Sequence, residues 1–281
     1  MTLFDSHCHL DFAAFDPDRA AVLQRAREAG VTHMLVPGYE PEQWLRAGGA
    51  ALAATARGLR VHVAVGIHPY ALAAEAGAWA ERPAGLAARL SEAATMQGVV
   101  AIGECGLDSP LADRVGDACS LAVQAAVLRE HLHAANECQL PLVLHVVKAH
   151  GLVLELLRAA PSPRPPLRGV IHAFSGSPEL VREYVDQGFM LGFGGALTRP
   201  THEKARAAAV VTPDEFLLVE TDAPFLTPHP YRGAPNEPYC LPYTVRALAG
   251  VVDRPADLVA AQSAATARRV YGLADQQTNA L

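Results

Sequence analysis

Histidine and carboxylate residues recur at one kind of place in this sequence: directly after a short apolar run. His7 and His9 follow Leu3-Phe4, and His68 follows Val65-Gly66-Ile67. Glu104 follows Ala101-Ile102-Gly103, and His145 ends Leu142-Val143-Leu144. His172 follows Val170-Ile171, and Asp222 closes the run that begins at Leu217. Side chains two apart on an extended segment share a face, so His7 and His9 can meet one cation. Four histidines (His7, His9, His145, His172) with Glu104 and Asp222 in one place cost too much to bury without partners. Neutral imidazole and ionised carboxylate both bind metals directly, which removes that cost. Six donors exceed the needs of one tetrahedral zinc. They suit a two-metal centre with a bridging carboxylate and ions about 3.5–4 Å apart. The mixed nitrogen and oxygen donors favour Zn, Mn, Fe, Co or Ni over Mg alone. Cys8 and Cys105, each beside a donor, should point to the opposite face and pack.

The elements that must position these residues alternate regularly. Eight strands are expected: Leu3–His7, His33–Val36, Val61–Gly66, Val99–Gly103, Pro141–His145, Gly169–Ala173, Phe189–Phe193 and Glu215–Glu220. Their starts lie roughly 30 residues apart, the length of one βα unit. Helical stretches fall between them. The first is expected from Pro17 to Gly30 with Asp16 as its cap. Others are expected over Gln43–Arg57, Trp79–Met96, Asp117–Gln139, Leu152–Ala160, Pro178–Gln187 and Thr201–Ala209, with Pro242–Gly250 and Ala256–Tyr271 after the last strand. The proline-rich segment Ala160–Arg168 reads as a loop rather than an interdomain linker. Strict alternation predicts a parallel sheet, and eight strands favour a closed (β/α)8 TIM barrel, α/β in class. Residues 1–281 then form a single domain, with the helices of 242–271 packed on the barrel. Every donor named above falls at the carboxyl end of a strand, the face where barrel active sites sit. No GxGxxG or GxxxxGK[ST] loop follows the first strand, which weighs against dinucleotide and P-loop chemistry.

Composition narrows the classes further. The chain has 281 residues, 51% of them hydrophobic, which excludes a disordered chain. Net charge is −6, and Lys148 and Lys204 are the only lysines among 23 basic residues. No polybasic patch for coating duplex DNA or a membrane is evident. No secretory signal and no apolar run long enough to span a bilayer are visible, so a membrane partner is not expected. The five scattered cysteines contain no CxxC pair and read as reduced thiols, as in a cytoplasmic protein. No obligate protein partner is evident.

The runs FDSHCHLD (4–11), VGIHPY (65–70), AIGECGLD (101–108), LPLVLH (140–145), VIHAFSGS (170–177) and LLVETDAPFL (217–226) resemble the TatD-related hydrolases. These are metal-dependent members of the amidohydrolase superfamily, described as deoxyribonucleases. The resemblance extends through RGAPNEP (232–238) and a glycine-rich seventh strand, GFGG (192–195). It implies a (β/α)8 barrel and a centre of two divalent cations. His7 and His9 would hold the first with Asp222, His145 and His172 the second, and Glu104 would bridge. The sequence departs from the family pattern after His145, where an arginine is common two residues on and Val147 stands instead. Lys148, one position later, is the candidate replacement as a point charge.

Several further residues have two readings. His68 is either a loop residue or a contact to substrate oxygen and proton donor to the leaving group, and the resemblance favours the second. Ser175 either donates to substrate or caps the helix near Pro178. Arg232 and Asn236 either contact substrate or anchor their loop. Glu220 reads as a structural carboxylate of the rim. The reaction expected is hydrolysis by a metal-activated water, with Asp222 as general base and Glu104 as bridge. The substrate expected is DNA, cut as a 3′-to-5′ exonuclease cuts strand ends, or a small phosphoester. The same centre could instead cleave a small amide or lactone. A non-enzymatic metal-binding barrel is the remaining reading.

Overall fold

The computed structural model describes residues 1–47, 58–74, 85–161, 166–231 and 233–273. The expectations for Trp79, for part of the proline-rich loop and for Arg232 lie wholly or partly outside these residues. Eight strands form one sheet in sequence order: β1 (Leu3–Asp5), β2 (Val31–Val36), β3 (Arg60–Val65), β4 (Val99–Asp108), β5 (Leu142–Val147), β6 (Gly169–Ile171), β7 (Phe189–Phe193) and β8 (Leu217–Val219). Every neighbouring pair from β1 to β8 is parallel. The helices between and after them are α1 (Arg19–Glu28), α2 (Pro41–Ala47), α3 (Pro69–Ala74), α4 (Leu86–Ala93), α5 (Ser109–Val115) and α6 (Leu121–Cys138). They continue as α7 (His150–Ala159), α8 (Pro178–Val185), α9 (Glu203–Val211), α10 (Leu241–Val252) and α11 (Ala256–Val270). The result is a single α/β domain, a nearly closed TIM-like barrel. None of the described helices is long and apolar enough to cross a membrane.

The period of two along each strand sorts its side chains into two apolar layers. Phe4, Leu35, Ala64, Ala101, Val143, Val170, Met190 and Leu218, one from each strand, fill the barrel interior. Their neighbours Leu3, Met34, Val63, Ile102, Leu142, Ile171, Leu191 and Leu217 face the helices in a larger cluster. The seam between β8 and β1 is bridged by few backbone bonds, such as Ser6 N–H to Val219 O at 3.2 Å. Helix α11 lies against this seam. Its Ser263 hydroxyl accepts the Val219 N–H at 2.8 Å, and the Tyr271 hydroxyl donates to Ser6 O at 3.4 Å. Ala264, Ala267, Val270 and Tyr271 join the interior layer there. Small residues let the helix approach closely and cover the seam with apolar side chains in place of a ladder.

Element ends differ from the sequence expectation where side chains intervene. Helix α1 begins at Arg19 rather than Pro17, because the Arg19 guanidinium turns back onto Leu10 O (3.0 Å) and Asp16 Oδ1 (2.5 Å), and Asp18 stands at the cap. Strand β4 does not stop at Gly103 but runs to Asp108. Helices α3 and α5 were not expected. All five cysteines are free thiols, and Cys8 and Cys105 are wholly buried in the outer apolar cluster.

Helix α6 supports the end of β3 through a histidine. His131 is fully buried, holds Val127 O through Nδ1 at 2.8 Å, and accepts the Ile67 N–H on Nε2 at 3.0 Å. Its ring must therefore be neutral, and burial lowers its pKa from 6.5 to about 4. Between those pH values the unfolded chain takes up a proton that native His131 refuses. Its contribution is intact above about pH 6.5 and is lost as pH falls towards 4, on the order of 3 kcal/mol at the low end. His131→Gln removes that proton uptake. The stability gap between variant and wild type in urea unfolding should therefore narrow from neutral pH to about pH 5. A gap independent of pH would exclude His131 as a source of the dependence.

Candidate metal centre

Glu104 stands at the middle of the carboxyl-end face with no exposed surface. In the β4–β5 register Gly103 pairs with Val143 and Cys105 with Leu144, so Glu104 is the extra residue of a bulge. Bulges re-aim a side chain, and this one turns the carboxylate into the barrel mouth. On one side, Glu104 Oε2 lies 3.0 Å from His7 Nε2 and 3.6 Å from His9 Nε2. On the other, Oε1 lies 2.9 Å from His172 Nε2, 3.2 Å from His145 Nδ1 and 3.2 Å from His68 Nε2. Asp222 Oδ1 faces the first group, 3.7 Å from His7 and 3.6 Å from His9. Buried sets His7–His9–Glu104 and His7–His172–Asp222 each gather their ligand atoms within 4.8 Å of one another.

The outer nitrogen of each ring decides what its inner nitrogen can do. His145 Nε2 bonds Asp108 Oδ2 at 3.1 Å, so it carries hydrogen and leaves the Nδ1 lone pair facing Glu104. His172 turns Nδ1 towards Glu220 Oε1, 3.6 Å away, and its Nε2 inward. Among the described residues, His7 and His9 keep Nδ1 buried without a hydrogen-bond partner while their Nε2 atoms converge at 3.3 Å. His68 is the exception. Its Nδ1 accepts the Tyr70 N–H at 3.0 Å, so the neutral ring carries hydrogen on the Nε2 that faces Glu104. In their neutral forms these four rings can each turn a lone pair inward, whereas His68 turns a proton inward.

These groups shift one another's ionisation. Burial raises the Glu104 pKa, but His172, His68, His7 and His145 outweigh it and hold the carboxylate well below its usual range. Burial lowers His172, yet Glu104, Glu220 and Asp222 drive it well above the ordinary imidazole value. Burial lowers His9 well below that value and His68 to about 4. Asp222 is raised to about 6, by burial first and by Glu104 and Glu220 after it.

The loops after β1 and β8 are stitched together. Asp222 N–H donates to His7 O at 2.9 Å, and His9 N–H donates to Ala223 O at 2.8 Å. Buried Asp5 braces both loops, accepting from Thr221 N (2.9 Å), Thr221 Oγ1 (2.6 Å) and His7 N (3.4 Å). Glu220 accepts the Ala173 N–H at 2.5 Å and the Ser6 hydroxyl at 3.4 Å, fixing the segment that carries His172. Gly192 makes room for it: a Cβ there would lie 2.1 Å from Glu220 Oε2.

A cavity of about 300 Å³ opens over the centre, lined by His9, Phe12, Tyr39, His68, Tyr70, Glu104, His145, His172, Asp222 and Phe225. The other candidate contacts lie elsewhere. Lys148 is exposed with φ +52° and does not line the cavity. Ser175 is exposed, and Ser177 occupies the cap of α8. Asn236 is buried and spends its amide on Thr221 O (2.8 Å) and Phe225 O (2.6 Å), which anchors the loop. Sequence reasoning missed Asp108 and the aromatic lining. Asp108 lies four residues past Glu104 on one strand face, a signal lost by ending β4 at Gly103. Phe12, Tyr70 and Phe225 each follow a site residue by two or three positions.

Residues 4–272 match the family model described as TatD related DNase. The chain belongs to the TatD-related DNase family of metal-dependent hydrolases. It is 38% identical over 275 residues to an uncharacterized metal-dependent hydrolase TatD of Mycobacterium tuberculosis, covering 96% of this chain and 98% of that one. A relative from Erwinia tasmaniensis, named as a 3′-5′ ssDNA/RNA exonuclease TatD, is 32% identical over 282 residues, covering 96% of this chain and all of its own length (100%). The crystal structure of YjjV, a TatD homologue from Escherichia coli, superposes with a TM-score of 0.82 at 31% identity, covering 97% of this chain and 98% of that one.

As a TatD-family centre, this one should depend on the support behind His172. Gly192→Ala is expected to destabilise the fold by about 1–3 kcal/mol through overpacking. It should also weaken divalent-cation binding by about 10–100-fold, the usual effect of disturbing an outer partner. Glu220→Gln should weaken binding with a smaller loss of stability. Calorimetric metal titration alongside denaturant unfolding checks both, and unchanged affinity in both variants would exclude the support.

Proposed function

We propose that this chain is a divalent-metal-dependent phosphodiesterase that removes nucleotides from the 3′ end of single-stranded DNA. The observation that carries this reading is the two-sided environment of Glu104, with one histidine group at each oxygen. The donor set fits a pair of cations: four imidazole nitrogens converge on two buried carboxylates, and the His7 and His9 Nε2 atoms lie 3.3 Å apart while their Nδ1 atoms stay buried and unpartnered among the described residues. His7, His9 and Asp222 would hold one ion, His145 and His172 the other, and Glu104 both. Mixed nitrogen and oxygen ligation suits Zn, Mn, Fe, Co or Ni, with Mg the least favoured. When bound, such ions supply the Lewis acidity that lets water attack near neutral pH and that neutralises phosphoryl oxygens.

The residues do the rest. The Asp222 carboxylate takes the proton from the attacking water and returns it to the leaving hydroxyl as the P–O bond breaks. The His68 Nε2–H hydrogen-bonds a substrate oxygen at the mouth. Phe12, Tyr39 and Phe225 wall off His9 and keep the reacting face apolar. The exonuclease activity for which the Erwinia relative is named supports this substrate class.

End-labelled single-stranded DNA, incubated with the protein and Mg, Mn or Zn in turn, should lose mononucleotides from its 3′ end. Asp222→Asn should slow release by at least about 100-fold, the scale of a lost general base. Absence of Asp222-dependent release with every metal would overturn the reading. One observation favours a second: none of the described cavity-lining residues is lysine or arginine, which suits a small lactone, amide or phosphoester. Running those substrates beside DNA separates the two, since faster turnover of a small ester would select the second.

A further inference from the structure

The aromatic residues at the mouth are not scattered. They come from the segments that follow consecutive strands, and each touches the next. Phe225, after β8, lies 6.0 Å from Phe12, after β1, and Phe12 lies 5.1 Å from Tyr39, after β2. Tyr39 stacks on His68 at 5.2 Å, and His68 lies 5.5 Å from Tyr70, after β3. The Arg114 guanidinium, on α5 after β4, sits 5.5 Å from the centroid of the Tyr70 ring. The arc follows half the rim, and its two terminal rings are open to solvent: Phe225 is 51% and Tyr70 41% exposed. Both rings border the cavity over the metal centre, where a bound ligand would lie against them.

We infer that this arc is a stacking track for the last unpaired bases of a single strand, with Phe225 and Tyr70 as its stacking faces and Arg114 as the contact for a neighbouring backbone phosphate. The inference rests on the nuclease reading and names how that site would select its substrate. Three features favour a strand end over a small apolar ester. The track is longer than one ring. Its exposed faces lie at its two ends, either side of the centre. It finishes on a cation, held over a π-face, that carries no part of the metal centre. Bases in a duplex stack on each other and cannot lie on such a track, whereas unpaired bases stack on aromatic side chains whatever their identity. Arg114 also supplies a positive charge beside Tyr70, at the end of the arc.

Binding is read by fluorescence anisotropy with Asp222→Asn protein, a divalent cation and a labelled single-stranded oligonucleotide. A matched oligonucleotide lacks the bases of its two 3′-terminal nucleotides. Wild-type turnover on both strands gives KM and kcat. Removing the bases should raise Kd and KM between about fivefold and a hundredfold, the range of one or two lost stacks, with a smaller change in kcat. Tyr70→Ala and Phe225→Ala should each weaken binding to the intact strand and bring it closer to the base-free one, while Tyr70→Phe keeps wild-type affinity. Arg114→Gln should flatten the salt dependence by about one phosphate contact. Equal binding of intact and base-free strands would overturn the track, and this needs no variant to fold. Release of nucleotides with equal KM on both strands would overturn the track and keep the nuclease. Base-dependent binding without release from any strand would keep the track and overturn the nuclease.

Discussion

One buried carboxylate sets the terms for this barrel. An ionised side chain with no exposed surface costs several kcal/mol unless its surroundings answer it, and Glu104 is answered by five imidazoles. Those rings are themselves buried, so each must be aimed. Asp108 aims His145, Glu220 faces His172, and the Tyr70 N–H fixes His68. The β4 bulge and the space left by Gly192 follow from the same need. Backbone irregularity is concentrated where side chains must converge, and the interior layer below is an ordinary apolar filling of one residue per strand.

The seam between β8 and β1 extends this logic. The strands that flank it carry His7, His9 and Asp222, whose backbones are occupied with each other across the loops rather than in a ladder. A regular closure would pull those loops straight. Helix α11 takes the place of the missing ladder with a serine hydroxyl, a tyrosine hydroxyl and small apolar side chains. The barrel thus lacks a full ladder between its first and last strands, and the loops after them carry half of the donor set.

The eight-strand alternation was legible because apolar runs and strand-end polar residues recur in register with the chain. The convergence of His7, His9, His68, Glu104, His145, His172 and Asp222 was legible for the same reason: strand ends meet on one barrel face. Other features were not. Asp108 was hidden because the double glycine pattern of β4 reads as a strand end, while the backbone instead bulges and continues. The tautomer of His68 depends on a backbone N–H two residues on, and the role of Asn236 on two distant carbonyls. The aromatic arc joins residues that are far apart in sequence and adjacent only because the loops close into a ring.

The bond network around Asp5 spans almost the whole chain, since Asp5 and Thr221 are 216 positions apart. Contacts so remote form only at the entropic cost of closing the long stretch of chain between them. A growing or nicked polypeptide can therefore hold all of β1 through β7 and still lack the partner that completes the first donor group. Competence at this centre is a report on the integrity of the entire barrel. A reactive site whose donors come from strand ends spread from β1 to β8 is complete only when the fold around it is whole.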